Sequence, residues 1–264
     1  MQIDWSIPWR QLDKQQKLQR RLWVVLNQND KQVQGLIKEL VKKDPVMFIE
    51  LLCFTFDPGK SPARIPFLLY PFQRDFIEWL EEKLKKQESG LVEKSRQMGV
   101  SWLSLTWLLY HWIFNKDFVG LIGSRTEVLV DKKDKSDTLF QKLDFNLRYL
   151  PKWILPKGFN ESKDRRHLIL VNSNKNNTLY GESSNKNFGR GSTISVALLD
   201  EFAAWETAYD SYMSVSEATK VRIVVSTPKS HTYFKTLRFS KQIDVKTLHW
   251  KLHPERDEKW YEEQ

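Results

Sequence analysis

Apolar residues recur along this chain with two different periods, and the change comes near residue 90. Before it, Val33, Leu36, Ile37, Leu40 and Val41 fall at i, i+3, i+4, i+7 and i+8, which is one face of a helix. A second helix is expected from Asp44–Pro45 to Phe54, with proline in the first turn, where its missing N–H is no loss. DPGKSPARIP then carries three prolines and a glycine and reads as a linker. In FLLYPFQRDFIEWLEEKLKKQ, Phe72, Phe76, Leu80 and Leu84 line another helical face. From Gly90 the apolar runs shorten: LVEK (91–94), FVGLIG (118–123), HLILV (167–171), TISVALLD (193–200) and VRIVVSTP (221–228). Helical segments at 101–114, 126–149 and 207–217 alternate with them. Unbroken apolar strands alternating with helices predict an α/β fold, a mostly parallel sheet with helices on both faces. NSNKNNTLYGESSNKNFGRGST is expected to be a long loop, too polar to bury. No internal repeat is apparent. The expected organisation is a helical amino-terminal segment (1–60), a core (61–240) and a lid or linker (241–264).

Composition narrows the setting. Of 264 residues, 41% are hydrophobic and 13% aromatic, enough for one sizeable core. Charges interrupt every apolar run, so no membrane span is expected, and the start MQIDWSIPWRQLDKQQ lacks the apolar stretch of a secretory signal. The single cysteine, Cys53 in FIELLCFTF, excludes an internal disulfide framework and is expected to fill core. The net charge of +9, from 42 Lys and Arg against 33 Asp and Glu, favours polyanionic partners without specifying one. Trp5, Trp9, Trp23, Trp79, Trp102, Trp107 and Trp112 stand in amphipathic contexts that suit packing better than base stacking.

The candidate chemistry begins in GLVEKSRQMGVSWLSL, Gly90 to Leu105. A short apolar run, a polar turn with one glycine and a helix form the layout of a phosphate-binding loop. The familiar pattern G-x-x-x-x-G-K-[ST] would place lysine after Gly99, and Val100 stands there instead. Ser101 is in place to hold Mg²⁺, and Lys94 and Arg96 lie just upstream. A helix N-terminus after such a turn offers free N–H groups and a positive dipole end to phosphate. By itself the loop reads first as a plain strand-turn-helix with two solvated cations. TISVALLDEFAAW ends a buried strand in two acids, at the sheet edge where open α/β folds bind ligands. Asp200 there suits Mg²⁺ and Glu201 suits activation of a water; the bland alternative is an acidic helix start. VRIVVSTPKS ends similarly in Ser226-Thr227, which could sense a terminal phosphate or merely cap a turn. Tyr70-Pro71-Phe72-Gln73 could offer an amide and aromatic cover to adenine, or only start a helix.

Taken together, LLYPFQRDF, KSRQMGVS, GRGSTISVALLDEFA and VVSTPKS resemble the ATPase domain of the large terminase subunit of tailed bacteriophages. The likeness runs from about Pro66 to Pro228, and WKLHPERDEKWYEEQ is similar to the segment leading out of that domain. The resemblance implies a P-loop NTPase of the ASCE, RecA-like kind: a motor coupling ATP hydrolysis to translocation of double-stranded DNA into a procapsid. It implies that Lys94, at the front of a deviant Walker A loop, replaces the lysine displaced by Val100. The nucleotide-binding set is then Lys94, Ser95, Arg96, Gln97, Met98, Gly99, Val100, Ser101 and Trp102, with Gln73 and Tyr70 at adenine and Thr227 in the coupling motif. Catalytic roles fall to Glu201, to Arg96 in cis and to Arg190, which is a finger acting in trans, a loop hydrogen bond or a DNA contact. Ser101 and Asp200 would hold Mg²⁺. The implied cofactors are ATP and Mg²⁺. The implied partners are DNA through its phosphates, a portal protein, the small terminase subunit and further copies in a ring, with a monomer as the isolated form. The implied location is the host cytoplasm. About 36 residues follow Pro228, too few for a nuclease domain, so cleavage is not expected of this chain. Two competitors share the motifs: a fragment of a DExx-type helicase, and a nucleic-acid-binding module with a degenerate nucleotide fold.

Overall fold

Three aspartates open the first three helices. Asp13, Asp30 and Asp44 accept backbone N–H groups at the starts of α1 (Lys14–Leu26), α2 (Lys31–Val41) and α3 (Pro45–Leu52), satisfying donors that a helix start leaves free. The computed structural model describes residues 3–263. Helix α1 was not visible in the periodicity, because the residues it buries are Lys17, Arg20, Arg21 and Val24. Helix α3 buries all of its residues, Glu50 included, and shares one core with the helices that follow. The amino-terminal segment is thus packed into the molecule. The proline-rich stretch is a hairpin of β1 (Phe54–Phe56) and β2 (Arg64–Pro66), leading to α4 (Pro71–Lys86).

A single large sheet follows. Its strands are β3 (Gly90–Lys94), β4 (Val119–Ser124), β5 (Arg165–Arg166), β6 (Ile169–Asn172), β7 (Asn177–Ser183), β8 (Val196–Leu199), β9 (Arg222–Ser226) and β10 (Asp244–Leu248). In space they run β10-β3-β9-β8-β4-β7-β6-β5, parallel from β10 to β7 and antiparallel thereafter. The pleat sorts alternate residues between two cores. Val92, Ile122, Val196, Leu198, Ile223 and Val225 face the core of α5 (Val100–Phe114), α3 and α4. Leu91, Leu121, Ala197, Leu199 and Val224 face that of two later helices, Ala208–Ala218 and Tyr233–Phe239. The expected α/β fold with helices on both faces is what the chain adopts.

Three expectations are corrected. The helix expected over 126–149 is two, α6 (Glu127–Val130) and α7 (Leu139–Tyr149), because the charged segment 131–138 breaks it. The expected loop at 172–193 contains β7, which pairs with β4 and β6. Asn177 at its start is satisfied rather than exposed: its amide donates to the carbonyls of Trp112 and Asn115 and accepts from Phe118 N–H. Gly181 is buried there, and a Cβ in its place would sit 2.6 Å from Val130. Finally, β10 extends the sheet past residue 240, where the core was expected to end. Cys53 is buried and free, as expected. Among the described residues no helix is long and apolar enough to cross a membrane.

Candidate nucleotide site

Because β3, β9 and β8 are adjacent and parallel, their C-terminal tips fall on one edge of the sheet. That topology brings the loop after β3, the acids after β8 and Ser226 of β9 together. The loop turns through left-handed backbone at Gln97 (φ 57°) and Gly99 (φ 76°) before α5 begins. Glycine is needed at 99 for a second reason: a Cβ there would sit 2.9 Å from the Gln73 amide nitrogen.

The two motifs meet directly. Ser101 Oγ donates to Asp200 Oδ2 at 2.9 Å, across 99 residues of sequence. Asp200 is buried, and its backbone is held by the Gly123 carbonyl and by the Trp205 indole N–H. Its Oδ1 is buried with no hydrogen-bond partner. Burial pushes the Asp200 carboxyl above the ordinary range, against the Ser101 hydroxyl, the Lys94 charge and the Glu201 backbone N–H. Glu201 is exposed and takes left-handed backbone (φ 53°), a conformation costly for a residue with a Cβ. The turn behind it is tied to β9, since Ala203 N–H donates to Ser226 Oγ at 3.1 Å. Thr227 beside it is half-buried.

The remaining expected residues divide. Lys94 is half-buried and Arg96 exposed; among the described residues neither side chain forms a hydrogen bond or ion pair, so both cations are available to an anion. Ser95 is held by the segment after β10, its hydroxyl accepting from Trp250 N–H at 3.1 Å. Met98 is buried. Val100 is buried as the first residue of α5, and Trp102 packs edge-on against Phe145 at 5.3 Å. Gln73 has both ends of its amide engaged. Its oxygen accepts from Tyr70 N–H at 3.1 Å and its nitrogen donates to the Met98 carbonyl at 3.3 Å, joining α4 to the loop. Tyr70 donates its hydroxyl to Glu255 at 2.9 Å and meets the His253 ring edge-on at 4.9 Å. Arg190 is exposed on the 185–193 loop, with a single bond to Asn187 at 3.1 Å.

Two residues of this region were not visible in the sequence. Arg256 donates to the carbonyls of Arg96 (2.9 Å) and Gln97 (3.0 Å) and lies over the Trp260 ring at 4.4 Å. Lys142 of α7 is held by the carbonyls of Asp137 and Thr138, and burial lowers its ammonium below the ordinary range, against the charges of Asp200, Asp137 and Glu201. No motif marks either residue; both arrive through the fold.

The family model described as terminase large subunit, T4likevirus-type, N-terminal, matches residues 91–260. No curated protein matches the chain. Among solved structures, the chain is similar to the HK97 bacteriophage large terminase, with 16% identity and a TM-score of 0.56 over 82% of this chain and 45% of that one. It is also similar to the large terminase from a thermophilic bacteriophage in complex with ADP, with 14% identity and a TM-score of 0.51 over 74% of this chain and 49% of that one. At such identities the likeness is one of fold, and the chain spans about half the length of each of these relatives.

Proposed function

The chain belongs to the terminase large subunit family, and on that premise we propose that it is the ATP-hydrolysing motor part of a viral DNA-packaging machine. The observation that carries this reading is the Ser101–Asp200 hydrogen bond with Asp200 Oδ1 left without a partner. A buried, unsatisfied carboxylate oxygen is costly unless something absent from the chain completes it. A divalent cation fits. Mg²⁺ prefers a hydroxyl, a carboxylate, water and phosphate oxygens, so Ser101 and Asp200 would hold it. When bound, that ion would neutralise charge on the β- and γ-phosphates.

The chain's own residues supply the rest. ATP would lie along the strand tips with its phosphates on the 95–101 turn, where the N–H groups of α5 and the free cations of Lys94 and Arg96 meet its charge. Glu201 would orient and deprotonate the attacking water, a role worth roughly 10²–10⁴ in rate. Gln73 would act by positioning the loop, since its amide is committed to Tyr70 and Met98. Ser226 joins the acid turn to β9, so loss of the γ-phosphate can be passed to the strand that ends at Thr227. Arg190, exposed and lightly tethered, is free to reach a neighbouring copy's site. DNA would be held through its phosphates, with salt-dependent and sequence-tolerant binding. The portal protein, the small terminase subunit, a ring of copies and the host cytoplasm complete the proposal.

The test is ATP turnover against protein concentration, with Glu201→Gln beside the parent. Turnover per subunit that rises with concentration and vanishes in the variant supports a site completed in trans. A constant rate, still lost in the variant, keeps the ATPase and removes the trans role of Arg190. Nucleotide binding without turnover at any concentration, DNA included, would favour the degenerate module.

A further inference from the structure

Helix α1 is turned the wrong way round for a helix that only braces a core. It buries Lys17, Arg20 and Arg21, and it exposes Leu18 (37%), Leu22 (55%), Val25 (56%) and Leu26 (72%). The buried cations are provided for: Lys17 pairs with Glu50, Arg20 bonds the Asp4 and Ile7 carbonyls, and Arg21 bonds those of Glu50 and Cys53. The exposed residues fall at i, i+4, i+7 and i+8, a continuous stripe. Leu18, Leu22 and Val25 form one wall of a groove of about 780 Å³, with Pro66, Tyr149 and Trp153 among the residues completing it. The groove lining contains no Asp or Glu, while Arg64, Arg148 and Lys152 stand in it, exposed and without an ion pair among the described residues.

From this face we infer a docking site for an amphipathic helix of another protein, one whose apolar stripe is flanked by acidic residues. The apolar floor suits i, i+3, i+4, i+7 anchors laid into a groove. The three unpaired cations select acids beside those anchors. A second copy of this chain fits poorly, since α1 contains no Asp or Glu to meet those cations and its stripe continues into the exposed Lys14. A nucleic acid would find a leucine stripe where an unbroken row of cations is wanted. The site lies on α1, α7 and the β1–β2 hairpin, apart from the strand tips that carry the nucleotide site.

The probe is a labelled synthetic helix of about 18 residues, five turns, with leucines on one stripe and glutamates beside them. The same peptide with lysines for the glutamates serves as control, and anisotropy is read with the full chain at physiological salt. The acidic probe is expected to bind at least about tenfold more tightly than the basic one. Leu22→Glu with Leu26→Glu, both exposed and so harmless to folding, is expected to abolish binding with an unchanged melting temperature and unchanged ATP turnover. Arg148→Glu with Lys152→Glu is expected to erase the preference between the two peptides. Equal binding of both peptides, or no effect of the leucine substitutions, would overturn the inference. So would a dimer of the free chain that the leucine substitutions dissociate, or displacement of the probe by DNA or anionic vesicles, since each names a different occupant.

Discussion

Two buried carboxylates in this molecule are used in opposite ways. Glu50, fully enclosed on α3, is saturated: it accepts from the Trp9 indole (2.7 Å), Lys17 (2.6 Å), Leu69 N–H (2.9 Å) and both Nε and Nη2 of Arg74 (3.2 and 3.1 Å). Asp200 has one side-chain donor, Ser101, and an oxygen with nothing on it. Glu50 therefore fastens the start of the chain, α3 and α4 to one another and has no capacity left for a ligand. Asp200 keeps capacity in reserve at the cost of an unmet desolvation penalty. Burial alone does not single out a candidate site carboxylate; an oxygen left without a partner at a sheet edge does.

The comparison is tested most severely at Glu201, the exposed neighbour of Asp200. Glu201→Gln is expected to lower ATP turnover by about 10²–10⁴ and to leave the unfolding midpoint in denaturant where it was. Turnover within tenfold of the parent would remove the acids from the chemistry. Glu50→Ala is the converse. It strands Lys17, whose side chain is 1% exposed, as an unpaired buried charge, and the expected loss is about 3–5 kcal/mol of stability. Equilibrium unfolding measures it, and the fraction still folded should bind nucleotide as the parent does. A loss below about 1 kcal/mol would show that the network is no fastening.

Asp200→Asn separates the two properties in one residue. Turnover should be lost while stability rises by about 0.5–2 kcal/mol, as is common where a site is kept at the expense of the fold. The sign follows from the direction of the Asp200 shift. Burial raises its carboxyl in the folded state, so between the ordinary aspartate value and the raised one the folded chain holds a proton that the unfolded chain has released. Stability from this group therefore falls as pH rises through that window. The difference in stability between parent and variant should widen on going from acid to neutral pH, and a difference constant with pH would contradict it.

What the sequence disclosed follows the same physics. Strands β3, β4, β8 and β9 were legible because a parallel strand covered on both faces is a near-continuous apolar run, and their tips carried the motifs with them. Strand β7 was hidden because only Leu179 interrupts its polar burial pattern, with Asn177 and Gly181 buried on the same face. Edge strand β10 was hidden because three of its five residues are Asp, Lys and Thr, and only Leu248 is fully buried. Ser101, Asp200 and Glu201 could be placed from local patterns. The engagement of Gln73 by Met98, and of the loop by Arg256, could not, since each is a contact between segments that only the finished fold brings together.

Arg256 gives the smallest effect and the finest test. It holds the 95–101 loop from outside, through the Arg96 and Gln97 carbonyls, 160 and 159 residues away in sequence. Those carbonyls belong to the part of the loop that is exposed, so water replaces the guanidinium when it is removed, and the loss is that of a screened, charge-assisted contact, about 1 kcal/mol. Arg256→Ala is therefore expected to raise the KM for ATP roughly fivefold with kcat retained, because the loop becomes less ordered before binding while Glu201 and Asp200 are untouched. Arg256→Lys, which can meet one carbonyl but not two in parallel, should fall between. A fall in kcat at constant KM would mean that the segment after β10 acts on the chemical step, and would move Arg256 from the loop's support to the acids' side of the comparison.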